Sequence, residues 1–188
     1  RDRLYTTGSD ALTPIVLYDY QPSRKGSCAQ NFLEGFRGLV QCDGYQGYNK
    51  LEDVILVCCL AHARRKFFEA VPAARRKRLK LLDINSDEAI EDINLPDEEE
   101  AKQLLPAEIG LLYCNKLFYL ERTLKDLNPE ERKQQRDVLE QPVWDQFWNW
   151  LDTLHPTGGS KLGKAVDYAQ NHHDTLMAVS YTHLRAHE

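Results

Sequence analysis

Apolar positions change their rhythm along this chain: short runs of strand formers occupy the first seventy residues, and helical spacing takes over afterwards. Arg3–Thr7 and Ile15–Tyr20 (IVLYDY) read as two strands joined through Gly8 as a hairpin, the second stopping at Pro22. Ser27–Phe36 reads as a helix capped by Ser27, with Phe32, Leu33 and Phe36 on one face. Leu39–Cys42 and Val54–Cys59 read as further strands, with a turn or short helix at Gly47-Tyr48-Asn49 between them. Ala61–Ala70 then reads as a helix stopped by Pro72. Strands and helices in this order predict an α/β fold with a mixed sheet.

The remainder reads as helical. Asp83–Glu100 is acidic and contains Pro96, as a linker or solvated loop would. Leu104–Leu127 carries an apolar face of Ile109, Leu112, Leu117, Leu120 and Leu124. Asn128 and Pro129 mark the start of a helix that runs to about Glu140. In Val143–Leu154, Trp144, Phe147, Trp148 and Leu151 recur at helical spacing, the pattern of a core stripe more than of a base-stacking platform. Lys161–Met177 reads as a last helix. The stretch from about Val179 (VSYTHLRAHE) does not continue these patterns and resembles translated adaptor sequence, so residues 178–188 are expected to be a non-native tail.

A length of 188 residues fits one or two domains, and a start at Arg1-Asp2-Arg3 leads to the expectation of a fragment or a processed chain. The longest apolar run, Val54–Ala61, is far too short to span a membrane. The net charge of -5 argues against a purely basic nucleic-acid coat, but it hides a strong asymmetry. Eight basic residues against Glu69 lie between Ala61 and Lys80, and ten acids against Lys102 lie between Leu81 and Gly110. The five cysteines are odd in number and form no C-x-x-C, which predicts reduced thiols and a cytoplasmic location.

Three segments could carry chemistry. In Cys42-Asp43-Gly44-Tyr45-Gln46-Gly47-Tyr48-Asn49, Asp43 stands at a strand end with backbone room beside it, a place suited to a Mg²⁺-binding carboxylate. Asp-Gly is also a common turn pair, so spacing alone leaves both readings. Cys59-Leu60-Ala61-His62-Ala63-Arg64-Arg65-Lys66 puts a thiol, an imidazole and three cations at the start of a helix. Cys59 and His62 would be half of a zinc site, but no second pair has suitable spacing, and phosphate contact by His62, Arg64 or Arg65 fits the helix N-terminus better. The run Arg75-Arg76-Lys77-Arg78 reads either as a phosphate-backbone contact or as a solvated helix face. No G-x-S-x-G, P-loop, G-x-G-x-x-G or H-E-x-x-H occurs.

Pro14–Arg24 (PIVLYDYQPSR), Phe32–Phe36 (FLEGF), Cys42–Asn49 and Cys59–Phe67 (CLAHARRKF), in that order and spacing, resemble the insertion-sequence-66 family of bacterial DDE transposases over about residues 1–177. The resemblance implies a ribonuclease H-like core in which three carboxylates hold two divalent metals, Mg²⁺ or Mn²⁺, for attack on a DNA phosphodiester. It makes Asp43 a catalytic metal ligand and gives Cys59, His62, Gly44 and Tyr45 the role of shaping the site. His62, Arg64, Arg65, Lys66, Arg75, Arg76, Lys77 and Arg78 become the DNA contacts. The family's first carboxylate is expected before Arg1 and its Glu beyond Met177, so this chain is expected to supply one carboxylate of three, to hold the metal weakly and to lack transposase activity by itself. The expected organisation is a partial ribonuclease H-like mixed sheet over 1–80, a mainly helical insertion over 81–177 and the tail. The expected partners are DNA and further copies of the transposase, at the nucleoid and without a membrane. The alternatives are a non-catalytic DNA-binding or regulatory remnant, and a helical interaction module presenting the Trp144–Leu151 stripe to a partner.

Overall fold

The computed structural model describes residues 17–76 and 93–181. The chain forms α1 (Gly26–Phe32), β1 (Gly38–Cys42), a 3₁₀ turn (Gln46–Lys50), β2 (Val54–Cys58) and α2 (Leu60–Ala70). The helices α3 (Ala73–Arg76), α4 (Glu98–Ala101), α5 (Pro106–Thr123), α6 (Pro129–Leu139), α7 (Gln141–Asp152), α8 (Lys161–Asn171) and α9 (His173–Met177) follow, with a 3₁₀ turn at Ala178–Tyr181. The architecture is mixed α/β and mostly helical. None of its described helices is long and apolar enough to cross a membrane.

Among the described residues the sheet has two strands and is parallel, where a mixed sheet was expected. Gly38 pairs with Val54 and the register runs to Cys42 opposite Cys58. The second expected strand is not formed in its described part. Leu17–Tyr20 is irregular, and Leu17, Tyr18 and Tyr20 are exposed. Strand-forming side chains fix a strand only when a neighbour accepts the backbone ladder, and among the described residues β1 pairs with β2 alone. Arg3–Thr7 lies outside the described residues. α1 also stops earlier than Phe36, because Gly35 takes a positive φ of 75° that a helix cannot continue through.

One core joins the sheet to the helices. Cys58, Leu60, Ala63 and Phe67 pack with Leu111, Cys114, Leu117 and Phe118 of α5, with Trp144, Phe147 and Leu151 of α7, and with Ala165, Val166 and Ala169 of α8. The two expected regions on either side of residue 80 therefore share a hydrophobic interior. The Trp144–Leu151 stripe is part of it: Trp144, Phe147 and Leu151 are buried and Trp148 is half-buried, so these side chains do not form a surface for a partner. Of the apolar face expected on α5, Leu117, Leu120 and Leu124 are buried while Ile109 and Leu112 are half-buried, and the inward face is broader than expected because Ala107, Leu111, Cys114 and Phe118 are buried as well.

Part of the stretch set aside from residue 178 is packed. Val179 is buried against Val57, and its carbonyl accepts from Arg136 Nη1 at 3.1 Å. Arg136 has no solvent exposure and also grips Glu121, Nε to Oε1 at 2.6 Å and Nη2 to Oε2 at 3.1 Å. Beside this pair lies Glu140, also buried, with its Oε1 meeting no hydrogen-bond partner among the described residues. Burial and the neighbouring Glu121 charge hold Glu140 well above the usual carboxylate range, against the pull of Arg136. A carboxyl whose native pKa is raised contributes stability below its unfolded value and loses it as pH rises through the native value. Glu140→Gln keeps a donor and removes the charge. Its urea midpoint is expected to fall less than that of the unaltered chain between pH 5 and pH 9, and parallel pH profiles would count against the assignment.

Candidate active site

The parallel pair β1–β2 ends with Cys42 opposite Cys58, and the chain leaves β1 directly into Asp43 and Gly44. Asp43 is exposed, and its Oδ1 accepts from the Tyr45 N–H at 3.0 Å, which closes a short turn on the carboxylate. Gly44 has φ +79°, a conformation that L side chains rarely adopt. It also has no room for a side chain: a Cβ there would lie 2.6 Å from His172 Nε2 and 3.0 Å from the Tyr168 hydroxyl.

Those two side chains, from α8 and its C-cap, hold the turn from the far side. Tyr168 Oη donates to the Asp43 carbonyl at 3.0 Å, and His172 Nε2 faces the Gly44 carbonyl at 3.1 Å. His172 Nδ1 faces the Tyr168 carbonyl at 2.8 Å, and the two rings stack at 4.3 Å. Both ring nitrogens thus meet carbonyl oxygens. On the other flank the Arg24 guanidinium lies 5.2 Å from the Tyr45 ring centroid, and the Tyr45 hydroxyl donates to the Arg24 carbonyl.

The two strand-end thiols differ in character. The Cys58 thiol donates to Cys42, which brings Cys42 down to about 6 against the effect of burial, with the Gly44 N–H assisting. Cys58 is correspondingly pushed up. Burial pushes Cys114, on α5, up to about 12.

The Cys59-x-x-His62 element sits where its sequence position implies. The Cys59 N–H donates to the Cys42 carbonyl at 3.0 Å, extending the strand pairing by one residue beside Asp43, and the Cys59 carbonyl accepts from the His62 N–H at 3.1 Å. His62 Nδ1 is buried and has no hydrogen-bond partner among the described residues.

The expected DNA contacts divide into two groups. Arg64 turns inward, Nε donating to Asn115 Oδ1 at 2.6 Å, and burial lowers its pKa. Arg75 pairs with the buried Glu108 at 2.8 Å. Arg76 donates to the Val71 and Glu69 carbonyls at 2.7 and 2.8 Å and covers the Phe68 ring. These three tie α2 and α3 to the chain itself. Arg65 is exposed, and Lys66 Nζ stands 4.9 Å from the centroid of the Tyr168 ring, which places a cation next to the Asp43 turn. Lys77 and Arg78 lie outside the described residues.

Sequence reasoning missed Tyr168 and His172. Their i, i+4 spacing was a usable signal of a shared helix face, but nothing local says that this face meets a turn more than a hundred residues earlier. Among the described residues, no three His, Cys, Asp or Glu side chains form a group that could hold a metal ion. Asp43 is a single carboxylate, where Mg²⁺ takes one or two together with water and phosphate oxygens.

Residues 1–184 match the model of the Transposase IS66 family. The chain belongs to that family. Two curated relatives of this IS66 chain come from Sinorhizobium fredii. It is 29% identical to uncharacterized protein y4hP over 165 residues, which is 82% of this chain and 27% of the relative. It is 28% identical to uncharacterized protein y4jD over 176 residues, 88% of this chain and 29% of the relative. The IS66 chain thus spans less than a third of the length of either. No solved structure matches it.

Proposed function

We propose that this chain is part of the catalytic region of an IS66 transposase, with Asp43 as one of the carboxylates of metal-dependent DNA cleavage and strand transfer. The reading rests on the placement of Asp43: an exposed carboxylate at the C-terminal end of a parallel strand, in a turn that admits only glycine next to it, with the cation of Lys66 close by. Functional groups of α/β proteins collect at this end of a sheet. In this reading β1, β2 and α2 belong to a ribonuclease H-like core, and the helices from α5 to α7 are an insertion that braces it. The divalent cation, Mg²⁺ or Mn²⁺, would polarise the phosphate and activate the attacking hydroxyl in the intact protein. Among the described residues Asp43 would fill only one corner of such a site. DNA and further transposase copies are the proposed partners, and the bacterial cytoplasm is the proposed location.

Two measurements test the reading. In an intact IS66 transposase carrying this segment, Asp43→Asn is expected to abolish Mg²⁺-dependent cleavage of element-end DNA while DNA binding persists. Retained cleavage would sink the assignment. The chain alone is expected to nick no DNA and to bind duplex DNA in a salt-dependent way, with Arg65→Ala and Lys66→Ala each lowering the log–log salt slope by about one. A nicking signal from the pure chain that Asp43→Asn removes would overturn the expectation of an incomplete site. Salt-dependent DNA binding by the chain, combined with an Asp43→Asn transposase that still cleaves, would favour a purely DNA-binding role.

A further inference from the structure

We infer that Tyr168 and His172 are positioning residues for Asp43: a clamp from α8 that fixes the strand-end turn and thereby the direction of the carboxylate. The inference deepens the transposase reading and rests on it for its functional meaning.

Four observations converge. Tyr168 Oη donates to the carbonyl of Asp43, and His172 Nε2 meets the carbonyl of the next residue, so the clamp grips the two successive peptide groups that set the turn. The Asp43 carboxylate is tied to the same turn through the Tyr45 N–H, so its direction follows the backbone that the clamp holds. Gly44 leaves no space between turn and helix, which makes the contact close-packed. Tyr168 is itself held by stacking on His172 and by Lys66 over its ring. The hydroxyl therefore belongs to a constrained ring.

Why the turn needs an external hold follows from what lies around it. Asp43 and Tyr45 are exposed, and the bond that closes the turn is a single hydrogen bond open to solvent. Such a turn opens easily by itself. A group that supplies charge to a reacting phosphate is effective only when its direction is fixed beforehand. Among the described residues, the Asp43 and Gly44 carbonyls meet Tyr168 of α8 and its C-cap His172 across the fold.

The test uses the whole 188-residue chain and amide hydrogen exchange read by NMR. Tyr168→Phe deletes one hydroxyl and keeps the ring, and His172→Ala deletes the imidazole. In each, the Tyr45 amide is expected to exchange about tenfold faster while the amides of Val57 and Phe67 keep their rates. His172→Gln, which restores a donor of similar reach, is expected to return the Tyr45 rate to within about threefold of the unaltered chain. Unchanged Tyr45 exchange in both deletions overturns the inference. So does an acceleration spread evenly over β2 and α2 in both, because that is the mark of a general structural role.

In an intact IS66 transposase the same two deletions are expected to lower the cleavage rate at saturating DNA about tenfold, with the DNA concentration for half-maximal rate unchanged. A shift in that concentration at full rate overturns the positioning role. A transposase that cleaves no DNA at all defeats the transposase reading, and the exchange result still decides whether the clamp holds the turn.

Discussion

Arg136→Ala is expected to destabilise the chain by about 3–5 kcal/mol, the cost of leaving a buried charge without its partner. Arg136 is fully enclosed, and two of its nitrogens bind both oxygens of Glu121, which is itself buried. Removing the guanidinium strands that carboxylate and releases the carbonyl of Val179. The effect comes from breaking the pair more than from any net worth of the pair, so removing both charges is expected to be far milder. Arg136→Met with Glu121→Gln should recover most of the loss in urea unfolding. A single-variant loss below about 1 kcal/mol would mean that the cluster admits water and is not an enclosed ion pair.

The second large effect centres on Phe67. It has no exposure and meets Phe147 edge-on at 6.0 Å and Trp150 at 6.3 Å. Phe67→Ala is expected to cost about 3–5 kcal/mol through lost burial and the cavity left behind. Across from it, Gly110 allows α5 to approach α2: a Cβ at Gly110 would lie 2.4 Å from Phe67 Cδ1. Gly110→Ala is therefore expected to destabilise by about 1–3 kcal/mol, although alanine is the better helix former by about 1 kcal/mol. The decisive measurement is the double-mutant cycle. With Phe67 already replaced by Ala, Gly110→Ala should become neutral or stabilising, and additive losses would show that the glycine is not there for the ring.

The elements that were legible in the sequence are those whose causes are local. Asn128 caps α6 by accepting from the Glu131 N–H, with Pro129 in the first turn, as the residues themselves imply. Val54–Cys58 is apolar and rich in β-branched residues, and α2 ends before Pro72. The aromatic stripe of α7 has the helical spacing of a core face and became one. Asp43 was singled out because it follows a strand and precedes glycine, and that local pattern sits where the structure has a strand-end turn.

What stayed hidden depends on distant partners. IVLYDY has strand composition, yet its described part, Leu17–Tyr20, pairs with nothing among the described residues. Arg64 and Arg75 look like phosphate contacts beside other cations, but Asn115 and Glu108, on a helix much later in the chain, engage them. Composition cannot separate a cation facing solvent from one turned to a buried acceptor. The expected inward face of α5 was incomplete for the same reason: beside Leu117, Leu120 and Leu124 it includes the buried polar residues Glu108, Asn115 and Glu121, each answered by an arginine elsewhere.

The clamp on Asp43 also has a consequence for synthesis. The residues it joins are 125 and 128 positions apart, so during translation β1, β2 and α2 leave the ribosome long before α8 exists. Until then the faces of α2 that pack on α5 and α8 have no cover, and closing so long a loop carries an entropic cost that later contacts must offset. The strand-end turn gains its contacts with Tyr168 and His172 only as the last helices dock. A chain interrupted before α8 is left with an open apolar surface that is prone to aggregate or to be degraded.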